Sequence, residues 1–286
     1  MISIIVIVKN DPGIETTIST LIEIPKPEKT EIIVVDASEG KLDYIRDKFP
    51  EVRWIDFIPK KKITIPEQRN VGVKSAKGNI IVFIDASCSP EKEWLENLIK
   101  PILQENESIV TGITNSTNES TFHDQSSELN KGKKYLHEAA TINLAVKKEI
   151  IEHIGIFDES FEYGSDVDFT WRSIDAGYKI RYEQNAIVSH DWGSFLSELK
   201  RSYRYGRART RLYEKHKHRW RNLFRYDIVT IIYPLFILFS PITLFWPYYP
   251  LLLIIPIFRN RKYHPLQTTI DHLVYGIGVI CQIIYF

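Results

Sequence analysis

Over its first hundred residues the chain alternates between two hydrophobic periods. Ile2–Val8 is a continuous apolar run that stops at the turn cluster Asn10-Asp11-Pro12-Gly13, the pattern of a strand buried on both faces. Ile14, Ile18, Leu21 and Ile22 then recur at helical spacing. Residues 31–35 predict a second strand ending at Asp36. Leu42, Ile45 and Phe49 mark a short helix, and residues 52–57 a third strand. Residues 66–77 read as a helix with proline near its start and Gly78 just past its end. Residues 79–84 predict a fourth strand ending at Asp85, and Trp94, Leu95, Leu98, Ile99 and Ile102 outline another amphipathic helix. Strands alternating with helices predict an α/β fold with a Rossmann-like, doubly wound, mostly parallel sheet. Ligands of such sheets bind beyond the carboxyl ends of the strands. Val8 to Asn10, Asp36 and Asp85 all fall at strand ends, so the pattern gathers them on one rim.

Farther along, residues 115–134 turn polar and read as a flexible loop or lid. Order resumes over 141–146. Residues 165–176 look helical and close with Gly177, and 179–189 predict a last strand leading to His190. A basic helix over 194–214 carries Phe195, Leu199, Tyr203 and Tyr213. The reading divides the chain into a globular domain over 1–215 and a basic, then apolar, region over 216–286.

Charge changes the picture only locally. The net charge of +1 gives no signal for a nucleic-acid partner, yet Lys200 to Arg225 holds eleven Lys/Arg and one acid, Glu214. Residues 228–258 then lack any charge but contain prolines at 234, 241, 247, 250 and 256. A straight span needs roughly 20 apolar residues, so the prolines favour a broken hairpin or re-entrant pair over one crossing. Residues 266–286 form a second apolar stretch, interrupted by Asp271 and His272, that spans the bilayer or lies in its interface. Arg221 and Arg225 before, and Arg259 and Arg261 after, put both ends of the first stretch in the cytoplasm. C-terminal membrane helices are thus expected, with the globular domain facing the cytoplasm. Cys88 and Cys281, far apart, suit a reducing compartment rather than a disulfide framework.

Several polar residues suit chemistry as well as structure. Asp85 ends an apolar strand, where a carboxylate serves equally as a cap for the next turn or as a ligand for a cation bridging a diphosphate. Asp36 is placed to accept hydrogen bonds from a base or ribose. Arg69 and Asn70 lie near a helix N-terminus, which attracts anions. Asp166 and Asp168 open a helix, as dipole-favoured acids or with one of them as a general base. His190 is a structural imidazole or a metal ligand.

Taken together, the segments resemble glycosyltransferase family 2, with its GT-A fold. The resemblance runs in order through residues 3–10, 31–38, Arg69-Asn70-Val71-Gly72, Phe83-Ile84-Asp85-Ala86-Ser87, Gly155-Ile156-Phe157-Asp158-Glu159, Gly164-Ser165-Asp166-Val167-Asp168 and Ala186 to His190. It implies an inverting transfer of a sugar from a nucleotide-sugar donor to a hydroxyl or phosphate acceptor. The membrane region points to a membrane-lipid or lipid-linked acceptor. Val8, Asn10, Asp36, Arg69, Asn70, Asp85 and Ala86 would then line the donor, Asp168 and Trp192 the acceptor side, and Asp166 would be the base. Asp85, Ser87 and His190 would hold a divalent cation, Mg²⁺ or Mn²⁺. Two departures stand out. Ser87 replaces the second aspartate of the family's metal motif, and Ser165 replaces a common glutamate before the base. Both leave room for a weak or silent nucleotide-sugar-binding membrane subunit. Nucleotidyl transfer is disfavoured, because no glycine-rich phosphate loop follows the first strand.

Overall fold

The computed structural model describes residues 1–117, 130–260, 262 and 264–285. The chain forms two compact units, the first running to Asp191 and the second from Trp192 to Phe286. The boundary expected near 215 thus falls earlier, because the basic helix packs with the C-terminal helices.

The first unit is built on one mixed sheet. The strands are β1 (Ile2–Val8), β2 (Thr30–Asp36), β3 (Arg53–Asp56), β4 (Ile80–Asp85), β5 (Cys88–Pro90), β6 (Ile109–Ser116), β7 (Tyr135–Leu136), β8 (Asn143–Lys147) and β9 (Ile180–His190). Their order is β3-β2-β1-β4-β8-β6-β9-β5, with β7 beside β9. Strands β1 to β4 pair in parallel, as their unbroken apolar runs require. The expectation of a mostly parallel sheet needs correction beyond β4. There β8 enters antiparallel between β4 and β6, and β5 and β7 both run antiparallel to β9. Strand β6 also continues through Asn115 and Ser116, residues whose polarity suggested a loop; the middle of that expected lid, 118–129, lies outside the described residues.

The helices occupy the expected positions. Helices α1 (Ile14–Glu23) and α4 (Trp94–Gln104) bury Ile14, Ile18, Leu21, Trp94 and Leu98, while α2 (Asp43–Arg46) is a single turn. Helix α3 (Ile65–Ser75) packs on β1 and β2. Helices α5 (Lys148–Ile154) and α6 (Ser165–Asp175) follow β8. Phe157 sits at the middle of the core, edge-on to Phe83 at 5.4 Å and 4.9 Å from Phe169 between ring centroids. These aromatic contacts tie β4 to α6.

The second unit is helical. Helix α7 (Phe195–Lys215) begins at Ser194, whose hydroxyl accepts the Ser197 N–H as an N-cap. It lies against α11 (Pro265–Ile284) at near-backbone distance. A Cβ on Gly206 would come within 2.1 Å of the Tyr275 carbonyl, and one on Gly278 within 2.1 Å of that of Tyr203. Ser202 donates to Asp271 and Arg207 to Gln282 across the same contact.

The expected membrane-crossing helices are absent: among the described residues no helix is long and apolar enough to cross a membrane. The prolines are the reason for the first stretch. It breaks into α9 (Val229–Leu238), 3₁₀ turns at Ser240–Leu244 and Tyr249–Leu253, and α10 (Ile254–Arg259), with α8 (Arg221–Arg225) before them. The second stretch is one helix, but it folds Thr268, Thr269, Asp271 and Gln282 into its packed face.

Replacing Gly278 with leucine should force α7 and α11 apart. We expect a loss of roughly 1–3 kcal/mol, measured by urea denaturation; an unchanged midpoint would contradict the close helix contact.

Candidate active site

The site begins with register. Val8 pairs with Asp36 on one side of β1, and Ile7 pairs with Asp85 on the other. Neighbouring strands lie about 4.8 Å apart. The two acids therefore leave the sheet at one edge, separated by the width of β1. This is also where the strand order reverses direction, the usual crevice of an open α/β sheet.

Loops after β1 and β2 are laced together at the Asp36 end. Asp36 is 5 % exposed, and its Oδ1 accepts the Ser38 N–H at 2.7 Å. The Ser38 hydroxyl accepts the Asn10 N–H at 2.7 Å, and Asn10 takes a left-handed backbone. With its amide turned to satisfy both atoms, Gln68 of α3 donates to the Val8 and Val35 carbonyls and accepts from Thr64. Beside Asp36 a cavity of about 280 Å³ opens, lined by Glu39, Asp43, Arg46, Asp56, Phe57 and Ile58. It offers one apolar wall and several polar groups.

At the Asp85 end, Arg69 is the connecting residue. Its side chain is only 7 % exposed, lies over the Phe157 ring at 5.8 Å and reaches Asp85 Oδ1 at 3.3 Å. Helix α6 starts after Gly164, a left-handed residue (φ 81°), and brings Asp166 to the same place. Its Oδ1 accepts the Val167 N–H at 2.9 Å. Burial raises the pKa of Asp166, the Arg69 guanidinium opposes the rise, and the Asp85 charge adds to it. Asp85, Arg69 and Asp166 thus act on one another in one small volume.

The turn after β4 is unusual. Ser87 has φ 62°, and its hydroxyl lies 3.0 and 2.9 Å from the two carboxylate oxygens of Asp11. Gly13 donates its N–H to Asp11 Oδ1 at 2.9 Å. His190 is paired with Cys88 in the sheet, and its Nδ1 lies 3.1 Å from the Ser87 carbonyl.

Other expected site residues do different work. Asn70 is 1 % exposed, and its amide is spent on the chain at 157–159. It donates to the Phe157 carbonyl and to Glu159 Oε1, both at 2.9 Å, and accepts the Phe157 N–H at 3.0 Å. Its role is to fasten α3 to that segment. Asp168 is fully buried and holds Arg172 Nε at 2.9 Å, while Arg172 donates to the carbonyls of Ile154, Gly155 and Ile156. It shapes the loop before α6 through Arg172. Val8 and Ala86 are buried and bring only backbone to the rim. Trp192 belongs to the second unit. The sequence reading passed over Asp11, Gln68 and Glu159. Asp11 looked like ordinary turn chemistry, in the cluster Asn10-Asp11-Pro12-Gly13.

Comparison with known proteins bears on this arrangement. Residues 3–195 match the family model described as glycosyl transferase family 2. Glycosyltransferase AglE from Haloferax volcanii is 28 % identical over 152 residues, covering 51 % of this chain and 50 % of AglE. A pre-mycofactocin glycosyltransferase from Mycobacterium tuberculosis is 27 % identical over 165 residues, 52 % of this chain and 34 % of that protein. The aligned part thus spans half the length or less of these curated relatives. Among solved structures, the mannosyltransferase PcManGT from Pyrobaculum calidifontis, in complex with GDP-Man and Mn²⁺, superposes with a TM-score of 0.69 at 15 % identity. That match covers 99 % of this chain and 86 % of the other, and it establishes a shared GT-A-like fold.

The raised pKa of Asp166 has a consequence for stability. Its folded value lies above the unfolded one, so ionising it costs stability as pH rises past the ordinary carboxylate value. Asp166→Asn is therefore expected to melt at a higher temperature than wild type at pH 7. The gain should shrink as pH falls toward 4, which calorimetry at several pH values measures.

Proposed function

Because the chain belongs to glycosyl transferase family 2, we propose that it is an inverting glycosyltransferase. It moves a sugar from a nucleotide-sugar donor to a hydroxyl or phosphate acceptor that is lipid-linked. The observation that carries this reading is the meeting of Asp85, Arg69 and Asp166 beside the carboxyl ends of β1 and β4. The cavity at Asp36, with Phe57 and Ile58, suits the base and ribose of a donor. Arg69 suits its phosphates, as a planar guanidinium backed by an aromatic ring. Asp166, raised in pKa and half-buried, suits a general base for an acceptor oxygen attacking from the opposite face of the sugar.

The donor atoms at the β4 turn fit a divalent cation. Asp85 has a carboxylate 35 % exposed, and the His190 ring stands at the same turn, with its Nδ1 3.1 Å from the Ser87 carbonyl. Carboxylate oxygens suit Mg²⁺ or Mn²⁺. Such an ion, when bound, would neutralise charge on the leaving diphosphate. The mannosyltransferase solved in complex with GDP-Man and Mn²⁺ supports this choice of cofactor.

We place the protein at the cytoplasmic face of a membrane, lying on the bilayer rather than crossing it. Leu244 and Phe245 are 84 % and 90 % exposed, and Ile255 and Phe258 are exposed as well. Exposed Arg221, Arg225 and Arg259 flank this uncharged segment along the chain. Apolar side chains bounded by cations match an anionic lipid surface, where each cation adds on the order of 1 kcal/mol.

The rival reading, a silent subunit that only binds a nucleotide sugar, rests on Ser87 and Ser165. Asp166→Asn separates the two. It should cut transfer by about 10²–10⁴-fold while sparing donor binding in calorimetry, and wild-type turnover in this variant would refute the base assignment. For the membrane, flotation with vesicles containing phosphatidylserine should recover wild type. A Leu244→Asp/Phe245→Asp protein should stay at the bottom of the gradient. Equal recovery of both would remove the lipid-facing role.

A further inference from the structure

The donor set at the turn after β4 is one carboxylate short. The resemblance to the family puts an aspartate where this chain has Ser87, and a hydroxyl brings no charge to a cation. The structure shows what stands in that place. The left-handed backbone at Ser87 turns its side chain toward the loop after β1. There the hydroxyl meets both oxygens of the Asp11 carboxylate, at 3.0 and 2.9 Å.

We propose that Asp11 supplies the missing carboxylate of the cation site, held at the vacated motif position by Ser87 and Gly13. The inference rests on the proposed use of a divalent cation with the donor diphosphate. Three features support it. Among the described residues, the partners of Asp11 are neutral: the Ser87 hydroxyl and the Gly13 N–H. Its charge is therefore not consumed by an ion pair, unlike that of Asp85, which faces Arg69. A hydroxyl with one proton cannot fill both oxygens at once, so lone pairs on Asp11 remain for a cation. Finally, the seat depends on Gly13. A Cβ there would lie 1.9 Å from the Ser87 Oγ, so Asp11, Gly13 and Ser87 form one interlocking unit. In this reading Asp11 is itself a ligand to the cation, and Ser87 and Gly13 are the residues that position it. It comes from a different loop than the motif it completes.

The test measures binding of Mn²⁺ itself, by loss of the free-ion signal in electron paramagnetic resonance, with GDP and with UDP present. Asp11→Asn keeps the shape and an acceptor for Gly13, and should weaken Mn²⁺ binding at least tenfold. Asp11→Asn/Ser87→Asp should restore it, because the carboxylate returns on the other side of the same contact. Ser87→Ala, which keeps Asp11, should bind within a few-fold of wild type; this variant also serves if Asp11→Asn melts early. Wild-type affinity in Asp11→Asn alongside loss in Asp85→Asn would overturn the role of Asp11 and leave the cation reading intact. A loss in Ser87→Ala as deep as in Asp85→Asn would make Ser87 the ligand and also overturn it. Failure of wild type to bind Mn²⁺ with either nucleotide would overturn the cation reading and this inference together.

Discussion

The site depends on the hydrogen-bonded register of β1 between two parallel neighbours. That ladder fixes Val8 opposite Asp36 and Ile7 opposite Asp85. A slip of one residue would turn each side chain to the other face of the sheet. It would then bury an acid among isoleucines and valines. Both faces of β1, β2 and β4 are apolar, with Ile4, Ile5, Val34 and Val82 buried, so the cost of drawing an unpaired acid among them is what opposes the slip. Hydrophobic burial therefore places the polar chemistry at the rim, although no apolar residue takes part in that chemistry.

Arg69 extends the arrangement from the sheet to the loops. It stands on α3, is backed by Phe157 and faces Asp85, so one cation answers acids from two distant segments. Without that guanidinium, Asp85 and Asp166 would repel each other in a partly buried space. Helix α3 thus serves as a scaffold for Gln68, Arg69 and Asn70, three consecutive polar residues that are all buried. Each has a separate structural task, toward β1 and β2, toward the rim acids, and toward the segment before α6.

Much of this was readable in the chain. Unbroken apolar runs marked β1, β2 and β4, and the acids at their ends, Asp36 and Asp85, marked the rim. What escaped the reading was mostly pairing across long sequence distances. No local pattern says that β8 enters antiparallel between β4 and β6, since a buried strand looks alike in either direction. Asp168 and Asp166 are two residues apart at the start of one helix, yet one is spent on Arg172 and the other faces Arg69. Only the folded loop before α6 distinguishes them. In the C-terminal region the prolines did foretell a broken chain, but an uncharged composition alone overstated its reach across a bilayer.

The three hydrogen bonds of Asn70 have a mechanical meaning. They weld the segment carrying Phe157 and Glu159 to the helix that carries Arg69. Any thermal swing of that segment must drag the guanidinium with it, or else strip a buried amide of its partners. The two therefore travel as a single lever, with Asn70 as its rivet. Arg69 and the Phe157 ring beneath it thus stand on one hydrogen-bonded frame.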